Sequence, residues 1–177
     1  MKSGNDAERQ LASFIAKYTP EIGALALEIR ARMRAKYPGA LELVYDNYNA
    51  LAIGYAPSEK TSEAIFSIAL FPRWVSLFFL QAKGLPDPDR ILKGSGSVVK
   101  HIVLRTADDL EHPSVRALMH EAVERAKAPF TADGSDRLVI KSVSEKQRPR
   151  RPAEKPKTAV IKTARHTGAA TRIGAHR

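Results

Sequence analysis

Apolar residues near the start of the chain recur three and four positions apart, the spacing of one helical face. Leu11, Phe14, Ile15 and Tyr18 carry the pattern, which predicts a first helix opening at Asn5, where Asn5 and Glu8 have the form of a capping box. Thr19-Pro20 ends that helix and starts another, because threonine caps and proline at the first helical position gives up an N–H that has no partner there. Ile22, Leu25, Ile29 and Met33 form the second stripe, Arg30 and Arg34 share another face, and Pro38-Gly39 stops the helix. The period then changes to two. Leu41, Leu43 and Tyr45 alternate with Glu42, Val44 and Asp46, a turn falls over Asp46–Asn49, and Leu51, Ile53 and Tyr55 share a face of the next strand.

Ala64–Phe71 and Trp74–Leu80 read as a hairpin around Pro72-Arg73. Both runs are apolar at consecutive positions, the pattern of strands covered on both sides. Two loops follow, Lys83–Pro88 and the glycine-rich Lys93–Ser97, with a short helical turn expected over Asp89–Leu92. A fifth strand, Val98–Arg105, leads through a capped turn at Thr106–Leu110 to a helix opened by Pro113, with Val115, Leu118, Met119, Ala122, Val123 and Ala126 on one face. Leu138–Val143 has the character of a last edge strand. The expected fold is therefore α+β: a mainly antiparallel sheet of about five to six strands, packed with two N-terminal helices and one C-terminal helix. The expected domain runs over residues 5–143. Residues 144–177, where Pro149, Pro152 and Pro156 alternate with lysine and arginine, are expected to form a disordered basic tail.

Charge sharpens that division. The net charge of +10 is uneven: residues 146–177 hold ten Lys/Arg and one acid, Glu154, which leaves the preceding residues with 19 basic and 18 acidic side chains. Any attraction for polyanions is thus expected from the tail, through Arg148, Arg150, Arg151, Lys155 and Lys157. The tail lacks aromatic residues for base stacking, so such association with nucleic acid would be nonspecific. There is no cysteine, which excludes disulfides, thiolate metal sites and thiol nucleophiles. No N-terminal apolar segment resembles a secretory signal, and no apolar run has the length of a membrane span. A cytoplasmic protein without membrane partners is expected.

Three stretches together carry a resemblance: Phe71-Pro72-Arg73-Trp74-Val75-Ser76-Leu77-Phe78-Phe79-Leu80, Leu92-Lys93-Gly94-Ser95-Gly96 and Val99-Lys100-His101-Ile102. In order and spacing they resemble the YdhG-like family, also called domain of unknown function 1801, over roughly Tyr45–Lys127. The resemblance implies a small α+β domain of bacterial cytoplasmic proteins, most without an assigned activity, one branch having been proposed to deliver iron in the manner of frataxin. In that family a lysine often follows the second glycine of the loop and an arginine often stands at the position of Lys100; here the residues are Ser97 and Lys100.

Two elements have the chemistry of a ligand site. Gly94-Ser95-Gly96-Ser97, flanked by Lys93 and Lys100, has glycines that allow backbone N–H groups to converge on an anion. Its spacing is neither that of a P-loop nor that of a dinucleotide fingerprint. Tyr45, Asn47, Tyr48 and Trp74 combine apolar bodies with polar tips, which suits the wall of a pocket. Together they predict a cleft for a small polar or anionic ligand, or for a partner, closed by the glycine-rich loop. Phe66, Phe71, Phe78 and Phe79 read as packing residues. His101, His112 and His120 lack metal-ligand spacing. Asp108, Asp109 and Glu111 form the densest acidic group, more simply a helix start than an iron site. No Gly-x-Ser-x-Gly elbow is present, and no cofactor motif. The sequence therefore points to a binding module and not to an enzyme.

Overall fold

The computed structural model describes residues 4–131 and 137–154. Among them are three α-helices, α1 (Gly4–Ile15), α2 (Pro20–Lys36) and α3 (Pro113–Glu124), and six strands: β1 (Leu41–Asp46), β2 (Leu51–Ala56), β3 (Phe66–Leu70), β4 (Val75–Phe79), β5 (Lys100–Leu104) and β6 (Leu138–Val143). The strands form one sheet in the order β5-β4-β3-β2-β1-β6. All neighbours pair antiparallel except β6, which lies parallel to β1. This is the α+β fold expected from the periodicity. None of the described helices is long and apolar enough to cross a membrane.

The local reasons are those of the sequence. The Thr19 hydroxyl accepts the Ile22 N–H at 3.4 Å, with Pro20 in the first turn. Thr106 and Asp109 make a reciprocal capping box that opens a 3-10 turn, Ala107–Glu111, ahead of α3. One face of the sheet supplies the core: Val44, Ile53, Tyr55, Phe66, Ile68, Leu77, Phe79, Ile102 and their neighbours pack under Leu11, Phe14, Ile29, Met33, Leu118 and Met119 of the helices. Full burial of each such side chain contributes about 1.5–3 kcal/mol. The Tyr18 hydroxyl ties two central strands, donating to the Leu70 carbonyl at 2.9 Å and accepting the Leu51 N–H at 2.9 Å.

Three expectations need correction. First, β3 and β4 are not covered by helices on both sides. The second face of the sheet carries a separate, smaller cluster around Leu41, Leu43, Ala56 and Ala64, on β1, β2 and the segment before β3. Elsewhere Ala52, Gly54, Ser67, Ala69 and Ser76 occupy that face. Small side chains bury easily beside sheet neighbours, so the run reads as apolar throughout without a second layer.

Second, Asn5 lies inside α1 and not at its cap, and Glu8 is engaged elsewhere. Its carboxylate accepts from Nη1 and Nη2 of Arg30 at 3.0 and 2.7 Å. Arg30, placed by periodicity on a charged helix face, is buried and also donates to both oxygens of the buried Glu42 at 2.9 and 2.6 Å. The two Arg30 hydrogen bonds hold the Glu8 carboxyl below its usual range against the opposing effect of burial.

Third, the segment from Ser144 to Glu154 does not start a solvated tail. It folds back over the β1–β2 turn, with Arg150 buried. The expected tail beyond Glu154, including Lys155 and Lys157, lies outside the described residues.

A groove on the open face of the sheet

The meander decides which candidate residues can meet. Successive antiparallel strands put the β1–β2 and β3–β4 turns at one end of the sheet and the loop between β4 and β5 at the other. Leu51 pairs with Leu70 and Asp46, and Leu70 with Val75, so Asn47, Tyr48 and Trp74 share one end. Lys100 pairs with Phe79, so the glycine-rich loop sits at the far end of β4. The separation of Trp74 from Lys100 is roughly 16 Å, at about 3.3 Å per strand residue. The expected cleft with the glycine-rich loop closing over Trp74 is therefore not formed as one cluster.

What joins the two ends is the open face itself. Asn47, Tyr48, Asn49, Ala50, Ala52, Ser67, Ala69, Phe71, Phe78, Leu80 and Ser144 line a depression of about 630 Å³ that runs the length of the central strands. Its floor is short because Ala52, Ser67 and Ala69 are short; its walls are aromatic. At one end Phe71 stacks on Trp74, ring centroids 5.1 Å apart. At the other Phe78 stacks on His101 at 5.0 Å. His101 in turn lies against Gly94, where an added Cβ would meet the imidazole Nδ1 at 3.5 Å, and Gly94 has φ +113, a backbone that favours glycine. Burial and then the neighbouring Lys93 lower the His101 pKa and so favour the neutral imidazole against Phe78. Ser76 faces the same side between Ala69 and Val103, and its buried hydroxyl has no hydrogen-bond partner.

The C-terminal segment builds the Tyr48 wall. Asp46, fully buried, receives Arg150 Nη2 at 2.9 Å on one carboxylate oxygen and Lys17 Nζ at 2.7 Å on the other. Arg150 also donates to the Asn47 and Tyr48 carbonyls, and its guanidinium lies over the Tyr18 ring. The Arg148 N–H donates to the Tyr48 carbonyl at 2.9 Å, and the Arg148 guanidinium sits over the Tyr48 ring, 5.6 Å from its centroid. The β1–β2 turn is thereby held from behind, and Tyr48 is left about half exposed at the groove mouth with a cation on it.

The remaining candidates fall elsewhere. Tyr45 stands opposite Ala52 on the same face but does not line the groove, its hydroxyl being bonded to Thr61 Oγ1 at 2.6 Å under the 3-10 turn Thr61–Glu63. Gly94, Ser95, Gly96 and Ser97 are exposed, and Lys100 turns its ammonium to the Gly94 carbonyl at 2.5 Å, inside the loop. Lys93 pairs with His101 through the backbone at the outer edge of β5. Of the arginines assigned to polyanions, Arg150 is withdrawn from that role by its ion pair with Asp46. Arg151 donates to the Lys17 and Ala16 carbonyls, and Arg148 alone of the three is exposed without an acceptor for its guanidinium. Asp108 is paired with Arg32, Glu111 with Lys36 and Arg116, and Asp109 with the Arg105 and Thr106 N–H groups. No group of three His, Cys, Asp or Glu able to hold a metal ion occurs among the described residues.

Comparisons with protein-family models, with curated proteins and with solved structures gave no match. The groove must therefore be read from its own chemistry. Sequence reasoning missed Phe71, Phe78, Ala52, Ser67 and Ala69 as lining residues, having assigned the aromatics to packing and the small residues to nothing. The signal was present: small side chains at alternate positions of adjacent strands leave a hollow in a sheet face.

Proposed function

We propose that this protein is a non-enzymatic binding module, and that its ligand is a small molecule with a flat apolar body and an anionic or polar end, seated on the open face of the sheet. One observation carries the reading: a depression of about 630 Å³ with a small-residue floor between Tyr48, Phe71 and Phe78. That volume lies within the range of ligand sites, about 300–1,000 Å³, and an apolar lining with a few polar groups is their usual composition. Aromatic walls favour a flat ligand. Arg148 over Tyr48 supplies a cation at the mouth. His101, stacked on Phe78, offers a hydrogen-bonding group along the same face. Membership of the YdhG-like family is proposed on the three motif stretches alone.

The test is a thermal-shift screen of aromatic carboxylates and nucleoside monophosphates, repeated on Ala69→Leu, which fills the floor. A ligand present at a hundred times its dissociation constant stabilises by about 2.7 kcal/mol, a shift on the order of 5–10 °C for a chain of this size. The wild-type protein is expected to show it and Ala69→Leu to lose it while melting within about 2 °C of the parent. An undiminished shift in Ala69→Leu, or no shift with either class, would refute the reading.

A further inference from the structure

The outer edge of β5 is finished by a single bridge and is left open at one place. His101 exchanges both backbone hydrogen bonds with Lys93, at 2.8 and 2.9 Å. In an extended strand the groups of alternate residues point the same way, so the N–H and C=O of Val103 also point outward. The chain that pairs with His101 does not continue alongside. Asp87 takes the Ile91 and Leu92 N–H groups at 3.0 and 2.9 Å, and the segment peels away from β5 after this single bridge. Two residues beyond Val103, the Arg105 N–H is already taken by Asp109 at 2.6 Å. Between these stops lies a depression of about 340 Å³ lined by Ile91, Lys93, Val103, Arg105, Asp109 and His112, among others. It is separate from the open-face groove.

We propose that this edge is a docking groove for a short extended peptide segment carrying acidic side chains, bound by strand addition to Val103. The backbone pair of Val103 supplies the ladder. The cations at either end supply the preference: Lys93 and Arg105 have no carboxylate partner among the described residues, and the single acid of the groove, Asp109, is occupied by two backbone N–H groups. A second copy of β5 fits poorly. An antiparallel β5–β5 ladder centred on Val103 would need the edges of His101 and Arg105, both already bonded within the chain, and would set Lys93 against the like-charged Arg105. The stops allow about three residues of extended chain, since His101 to Arg105 spans roughly 13 Å.

Amide hydrogen exchange on the full-length protein tests this, with an acetylated Glu-Val-Glu-Val-Glu pentapeptide as the probe. In the free protein the Val103 amide is expected to exchange fast and the Ile102 and Leu104 amides slowly. The peptide is expected to slow Val103 by roughly tenfold or more. The same peptide N-methylated at its central residue is expected to do nothing, and K93E/R105E to cut the protection by roughly tenfold through lost charge complementarity. Val103→Pro removes only the outward N–H, a change that edge strands tolerate, so retained melting with lost peptide binding is expected. Protection of Val103 in dilute free protein, equal protection by the N-methylated peptide, no protection by either, or protection that rises with protein concentration without peptide would each overturn the proposal.

Discussion

The two faces of this sheet are made from the same strands, residue by residue in alternation, and carry opposite side chains. Toward the helices stand Ile53, Phe66, Ile68, Leu77 and Phe79, all fully buried. Toward the other side stand Ala52, Gly54, Ser67, Ala69 and Ser76, with Phe78 half-buried beside them. The contrast assigns stability to one face and, on the function proposed above, recognition to the other. Phe66 and Phe78 test it most severely, because they are the same residue type on adjacent strands. Phe66, packed against Tyr37 and Phe79, should cost about 3–5 kcal/mol when replaced by alanine. Phe78→Ala, which empties a wall that solvent already reaches, should cost about 1 kcal/mol. Urea midpoints compared at a common slope would measure both, and equal losses would dissolve the distinction between the faces.

The same comparison sets the next effect. Arg150 belongs to the stabilising side by its burial and to the recognising side by its hold on the Tyr48 turn. Arg150→Met is expected to cost about 2–3 kcal/mol, below the usual 3–5 for a broken buried pair, because Lys17 still faces Asp46. It should also take the side-chain donor from the Asn47 carbonyl, while the Arg148 N–H still holds the Tyr48 carbonyl, and so loosen the turn that carries Tyr48 and weaken binding in the groove. Arg150→Lys should recover only part of the loss, as an ammonium cannot reproduce the forked donors that reach Asp46 and two carbonyls together. Unfolding curves and groove titrations on the two variants would separate these contributions.

How much of this was legible follows from the range of each signal. The Thr19-Pro20 junction, the period-two strand Leu41–Asp46 and the stripe of α3 are local, and each element lies where its residues place it. The Arg30–Glu8–Glu42 cluster is not local: Glu8 has a plausible partner in Asn5 next door, while its actual partner lies 22 residues away. Arg150 stands in a run of prolines and cations that reads as solvated, and only the fold brings Asp46, 104 residues distant, to neutralise it. The split of the candidate site has a different origin. In a meander, alternate turns lie at opposite ends, so a hairpin turn at Pro72-Arg73 and a loop at Lys93–Ser97 were bound to separate once the strand order was known. That inference needs topology as well as residue types, and residue types alone place Trp74 beside the glycine-rich loop.

The smallest effect sharpens the stabilising side without touching the groove. Glu8 joins the Arg30 cluster from the solvent side, and its hydrogen bonds to Arg30, first among the causes, hold its pKa below the ordinary value of 4.5. A carboxylate depressed on folding contributes stability that is fully present above its unfolded pKa and is lost as pH falls through its folded one. Its share of the acid destabilisation should therefore begin below about pH 4.5 and grow as the solution becomes more acidic. With its side chain 40% exposed, solvent screening limits that share to under about 1 kcal/mol. Denaturant unfolding of the parent and of Glu8→Gln between pH 7 and pH 3 isolates it. The variant should be the weaker at pH 7 and converge on the parent at pH 3. A constant gap across the range would mean that Glu8 acts through packing alone, and that the Arg30 cluster is held by Glu42 without help from its charge.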